Sequence, residues 1–253
     1  MAFDVSADAY GRFMGRYSEP LAVRFAEFAQ VGAGQRVLDV GCGPGALTAE
    51  LIERVGADAV TAVDPSAPFV AAARERFPGV DVRSAVAESL PFPDDVFDSS
   101  LAQLVVHFMT DPVGGLREMV RVTRSGGLVA ACVWDHGGGR GPLSTFWRAA
   151  HDVDPLVRDE SGRAGATEGE LADLCAAAGL DRVESSELTV LLRVESFAEW
   201  WQPFTLGVGP AGYYVAQLDE SQREALRSRA AELVPAGAFD VAASAWCVGA
   251  RVT

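Results

Sequence analysis

The chain has 253 residues, 35 acidic against 21 basic, for a formal net charge of −14. With 49% hydrophobic and 22% charged residues it is neither a disordered chain nor a disulfide scaffold, and its length suits one large α/β domain burying roughly 70–75% of the unfolded surface. The acidity argues against a nucleic-acid partner, because neutralising a phosphate backbone takes clustered cations.

Residues 1–30 predict helix, with Leu21, Val23, Phe25, Ala26 and Phe28 following Pro20 at mostly helical spacing. Gly32-Ala33-Gly34 ends it, and the run Arg36 to Val40 predicts a short buried strand. Strands and helices then alternate. Ala46 to Val55 is a helix, Ala59 to Val63 a strand, and Ser66 to Phe77 a helix with Ser66 as its N-cap. Val80 to Val86 and Phe97 to Val105 are strands, Asp111 to Thr123 a helix and Gly127 to Trp134 a strand. Residues 142–169 carry no clear pattern and read as a mobile region. A helix from Leu171 to Ala178 stops at Gly179, where a left-handed glycine cap is expected. Two longer strands, Arg182 to Val194 and Phe239 to Val252, enclose an insert that ends in a helix from Glu220 to Leu233. Short apolar strands separated by such helices predict a doubly wound, mostly parallel, seven-stranded Rossmann-like α/β sheet. The expected organisation is one domain over 1–253: an N-terminal cap (1–30), a cofactor-binding core (31–135) and a substrate-cover insert (195–238).

Within this frame, Val37-Leu38-Asp39-Val40-Gly41-Cys42-Gly43-Pro44-Gly45 runs a buried strand into a glycine turn and then a helix. Glycines let a ligand come close to the backbone, and a helix N-terminus offers free N–H groups. The strand Val60 to Asp64 ends in an acid nineteen residues after Gly45, placed to accept both hydroxyls of an adenosine ribose. Nicotinamide dinucleotides and S-adenosylmethionine share that nucleoside. Asp39 favours the second, since a pyrophosphate gains nothing from a neighbouring acid whereas an ammonium or sulfonium does. Composition points the same way: all 21 basic residues are Arg, as in a GC-rich bacterial genome, so Schiff-base, phosphate-loop and Tyr/Lys relay chemistry are excluded. Four scattered cysteines and three histidines give no metal-ligand spacing, so no metal is expected.

The chain resembles the class I S-adenosylmethionine-dependent methyltransferases, in the small-molecule branch that includes the ubiquinone/menaquinone-biosynthesis type. The resemblance runs from about Tyr10 to Val133. It rests on VLDVGCGPG at 37–45, AVDPS at 62–66, AVAESLPFPDDVFD at 85–98 and LREMVRVTRSGGLV at 116–129. It implies S-adenosylmethionine as cofactor, S-adenosylhomocysteine as product, and cofactor contacts from Tyr10, Arg16, Asp39, Gly41, Cys42, Gly43, Gly45, Asp64, Pro65, Ser66, Ala87, Glu88, Gln103 and Leu104. Arg16, in a cap over the cofactor, would pair with the methionine carboxylate. The family often has an acid before the Ala-Glu pair to bond the adenine amino group. Here Val86 stands there, leaving the adenine edge to the Ala87 N–H with Glu88 nearby.

Ligands of open α/β sheets sit at the carboxyl ends of the strands, which brings His107 and His136 to the reacting face as candidate general bases, His107 first. His151 falls in the unpatterned region. Trp200, Trp201, Tyr213 and Tyr214 in the insert are candidates for lining an apolar acceptor pocket. The expected activity is methyl transfer to O, N or C of a small organic acceptor by in-line displacement. A nicotinamide oxidoreductase and a non-catalytic cofactor-binding protein are the alternatives. The amino terminus MAFDVSADAYGRFMGRY lacks an apolar signal core, and no apolar run nears the ~18 residues of a membrane helix, so a cytoplasmic monomer or homodimer with reduced cysteines is expected.

Overall fold

A computed structural model describes residues 7–253; the first six residues of the expected cap lie outside the described residues. Helix α1 (Ala7–Tyr10) passes through a wide π-type turn at Gly11–Gly15 into α2 (Arg16–Phe28). Seven strands follow: β1 (Val37–Val40), β2 (Val60–Asp64), β3 (Asp81–Ser84), β4 (Phe97–Gln103), β5 (Thr123–Trp134), β6 (Glu184–Val194) and β7 (Phe239–Arg251). They form one sheet in the order β3-β2-β1-β4-β5-β7-β6. The first five strands pair in parallel, and β7 runs antiparallel to both β5 and β6. This is the predicted Rossmann-like α/β sheet. β5 begins at Thr123, four residues before the expected start, with its pairing to β4 irregular between Phe97 and Ser99.

Period-2 alternation sends successive side chains to opposite faces, and helices cover both. Val37, Ala62, Leu101 and Cys132 pack with Leu21 and Phe25 of α2 and with Leu47 and Leu51 of α3 (Ala46–Val55). Leu38, Val63, Ala102 and Ala131 pack on the other side. Their partners are Leu116 and Met119 of α5 (Pro112–Val122) and Leu171 of α7 (Glu170–Ala177). Between β2 and β3, α4 (Ala67–Arg76) starts on Ser66, whose hydroxyl accepts the Phe69 N–H at 3.5 Å, as its sequence position predicts.

One element departs from expectation. Residues 142–169 contain α6 (Ser144–Val153), whose Phe146, Trp147, Ala149 and Ala150 are buried on one face. That four-residue stripe is only one turn of helical spacing deep, and it follows the turn-rich Gly137 to Pro142, so its periodicity is hidden in the sequence. The insert docks on it. α8 (Phe197–Trp201), a tight turn at Gln202–Leu206, α9 (Gly209–Gln217) and α10 (Glu220–Glu232) lie between β6 and β7. The Phe204 ring stacks on Phe146 with centroids 4.4 Å apart and planes at 10°. No helix among the described residues is long and apolar enough to cross a membrane.

Candidate functional site

Parallel strands end at one edge of the sheet, and there the chain opens a cleft of about 240 Å3. The loop after β1 forms one wall. Gly43 has φ +54, and no atom lies within 4 Å of where a Cβ would stand, so a side chain there would occupy the cleft itself. Gly45 differs: its φ is +95 and Phe77 fills the space beside it, so it serves the turn into α3 and does not line the cleft.

Two acids line the cleft. Asp64, at the end of β2, is 6% exposed; one carboxylate oxygen accepts the Ser66 N–H and the other the Gly43 N–H, both at 2.8 Å. Burial raises its pKa, opposed by those two bonds. Asp39 is 1% exposed and accepts the Thr48 hydroxyl at 2.6 Å. Burial, opposed by that bond and reinforced by the Asp64 charge, pushes it up to about 7. Opposite them Gln103, at the end of β4, donates its amide N–H to the Ser18 carbonyl at 3.0 Å, while its Oε1 is buried without a partner. Leu104 follows at φ +62, a costly conformation for a branched residue, and its side chain borders this cleft and the next cavity inward.

The other expected cofactor residues divide. Tyr10, Gly41, Cys42, Pro65, Ser66, Ala87 and Glu88 line the cleft. The Tyr10 and Phe69 rings meet edge to face at 5.3 Å. Glu88 accepts the Thr110 and Asp111 N–H groups at 2.8 and 3.2 Å, which fastens the loop below β4. Val86 stands on the cleft wall at 45% exposure. Arg16 is the correction: its guanidinium pairs with Glu199 of α8 at 2.8 Å and lies outside the cleft lining. In a protein this acidic a carboxylate on the neighbouring insert takes the charge that the sequence reading reserved for a ligand.

Beyond Tyr10, Leu104 and Phe108 lies a smaller, tight inner pocket of about 30 Å3. His107 and His136 both line it, their ring centroids 5.6 Å apart. Burial, then the neighbouring His136 and Arg163, drives the His107 pKa well below its ordinary value. Burial and Arg163 lower His136 to about 4 against the opposing charges of Asp159 and Asp135. Both imidazoles are therefore neutral at pH 7. His151 is elsewhere, on α6, bonded to Asp159 at 3.0 Å.

The four insert aromatics singled out in the sequence line neither cavity. Trp200 and Trp201 are buried at 3% and 6% in a cluster with Phe204, while Tyr213 is 65% exposed and Tyr214 packs near Trp147 at 6.2 Å. Their density reflects the docking of the insert on α6. The pocket wall comes instead from Phe13, Met14, Trp134, Leu143, Glu160, Val208, Gly209 and Pro210. Phe13 and Met14 sit in the Gly11–Gly15 turn, and Trp134 ends β5, a position that strand-end logic could have flagged.

Comparison with known proteins agrees with this arrangement. The profile of a methyltransferase domain matches residues 38–131. A 2-methyl-6-phytyl-1,4-hydroquinone methyltransferase of Oryza sativa is 38% identical over 122 residues, covering 47% of this chain and 33% of that protein. A ubiquinone/menaquinone biosynthesis C-methyltransferase of Stenotrophomonas maltophilia is 41% identical over 106 residues, covering 39% of this chain and 42% of its own. The matches thus span only about a third to two fifths of these relatives. The solved structure of YcgJ from Bacillus subtilis superposes with a TM-score of 0.57 at 19% identity, covering 93% of this chain and 98% of that one, which speaks to fold alone. The matched segment holds the glycine turn, both acids and the strand ends that frame the cleft, so residues 38–131, which match a methyltransferase domain, are the part of the chain that builds it.

Proposed function

We propose that this protein binds S-adenosylmethionine in the outer cleft and transfers its methyl group to a small organic molecule held in the inner pocket. The observation that carries this reading is the junction of the two cavities at Leu104, with acceptor groups on the cofactor side and neutral imidazoles on the other. The cleft suits the cofactor's chemistry. Gln103 Oε1 is a buried acceptor without a partner, and with Asp39 it would receive an ammonium group. Asp64 would take the ribose hydroxyls, with Tyr10 and Phe69 covering the nucleoside and Ala87 at the adenine edge. Bound there, the cofactor supplies an electrophilic methyl on a sulfonium. The chain's own contribution is to hold the acceptor in line with that methyl, exclude water, and offer His107 or His136 to an acceptor proton. Residues 10–30 and 195–238 act as cap and cover: Phe13 and Met14 from the first and Val208 to Pro210 from the second roof the inner pocket.

Isothermal calorimetry with S-adenosylhomocysteine tests the reading. Micromolar binding is expected, weakened about tenfold by Gln103→Leu, which deletes the unpartnered acceptor. Asp64→Ala should weaken it further, since the same carboxylate also holds the Gly43 loop. Tight NADH binding without adenosylhomocysteine binding would refute it.

A further inference from the structure

The inner pocket holds a pattern of unmet hydrogen bonds that specifies a ligand. His107 Nδ1, His136 Nε2 and Trp134 Nε1 are each buried without a partner, and all three residues line this one pocket. The three atoms make different demands. An imidazole nitrogen donates or accepts according to tautomer, so the His pair can take a hydroxyl proton. The Trp134 indole N–H can only donate, and at 2% exposure it is shielded from bulk solvent. It needs an acceptor oxygen, and a carbonyl supplies one without adding a donor of its own. Much of the remaining wall is apolar, from Phe13, Met14, Leu143 and Val208, with Tyr10 at the junction to the outer cleft. The one buried charge, Glu160, is already met by the Trp147 N–H at 3.3 Å and Arg163 at 3.8 Å, so no counterion is left for a charged ligand group.

We infer that the acceptor is an uncharged hydroxy-carbonyl compound with an apolar skeleton, whose hydroxyl meets the His107–His136 pair and whose carbonyl oxygen takes the Trp134 N–H. Trp134 is then the residue that sets specificity. The inference rests on the methyltransferase reading above and narrows it to O-methylation. The hydroxyl oxygen forms the new C–O bond, its proton passes to a neutral imidazole nitrogen, and the electron pair of the broken C–S bond leaves with sulfur. A thioether, a methyl ether and an imidazolium result, so atoms and charge balance.

The test uses the full chain and matched probes: the three hydroxyacetophenones, the corresponding ethylphenols, which keep the shape but lack the carbonyl, and the hydroxybenzoates, which are anions. Binding is measured calorimetrically with adenosylhomocysteine saturating, and methyl ether formation by mass spectrometry with labelled adenosylmethionine. At least one hydroxyacetophenone should bind about tenfold more tightly than its ethylphenol, with the hydroxybenzoates weaker still, and methylation should follow that order. Trp134→Phe, which keeps an aromatic ring and deletes the N–H, should bring the ketone-to-ethyl ratio close to one while adenosylhomocysteine affinity is retained. Ethylphenols or hydroxybenzoates binding as well as the ketones would overturn the inference. So would a ratio that survives Trp134→Phe, or no probe binding to a protein that does bind adenosylhomocysteine. Should the variant fail to bind adenosylhomocysteine, the wild-type ratios alone decide. Failure of the wild type to bind adenosylhomocysteine would instead sink the parent reading.

Discussion

Replacing Asp39 with Asn keeps the side chain's shape and an acceptor oxygen for Thr48 while removing the charge. The carboxyl is 1% exposed, and burial pushes it up to about 7, against about 3.9 in an unfolded chain. Between those values the unfolded chain ionises while the folded one keeps its proton, so the wild type loses stability as pH rises from about 4 to about 7, then levels off. A gap of about three pH units at about 1.4 kcal/mol each gives a ceiling of about 4 kcal/mol. At about 2 °C per kcal/mol for a chain of this size, Asp39→Asn should melt about 8 °C above wild type at pH 8 and close to it at pH 4. Thermal melts across that range measure the difference directly, and the comparison cancels the titration of every other group. The same variant should bind adenosylhomocysteine about tenfold more weakly at pH 8, having lost a charged acceptor. A melting difference of equal size at pH 4 and pH 8 would show that Asp39 is not held neutral by burial.

Three further outcomes follow from the geometry. Arg16→Gln should leave adenosylhomocysteine affinity within about threefold of wild type, because Arg16 is engaged by Glu199 outside the cleft; a tenfold loss by calorimetry would return it to the cofactor. Phe146→Ala, deleting a fully buried ring stacked on Phe204, should cost about 3–5 kcal/mol in urea denaturation. With any acceptor that is turned over, kcat should stay level from pH 8 down to about pH 5, since His136 is pulled to about 4 and His107 is also pulled well down; a break near 6.5 in the pH profile would place the base in an ordinary environment. The same shifts act on stability with the opposite sign to Asp39: below about 6.5 the unfolded histidines take protons that the folded ones refuse, so their contribution is lost as pH falls toward 4.

The outer cleft is legible in the sequence because its requirements are local. A glycine turn behind an apolar strand, an acid at the end of the next strand and Gln103 at the end of a third each show in a few consecutive residues, and strand order brings them together. The inner pocket is not. Trp134, Glu160 and Val208 come from three separate segments, and nothing in their immediate sequence marks them as neighbours. The insert's aromatics misled for a related reason: Trp200 and Trp201 look alike whether they face a ligand or α6, and only the partner element decides. Arg16 failed because its competitor, Glu199, lies 183 residues away.

The position of β7 imposes an order of assembly. It fills the gap between β5 and β6, pairing through residues 245–251 with the first and 239–249 with the second, so β5 presents an unpaired edge until residues 239–251 arrive. All the residues that line the outer cleft fall between Tyr10 and Thr110, on elements that can associate before then. A chain emerging from the ribosome would thus gain its outer cleft first and carry an open, apolar sheet edge for more than a hundred residues of further synthesis. Any ligand that occupied the cleft at that stage would stabilise the half-built sheet by mass action, coupling the yield of folded protein to the supply of that ligand.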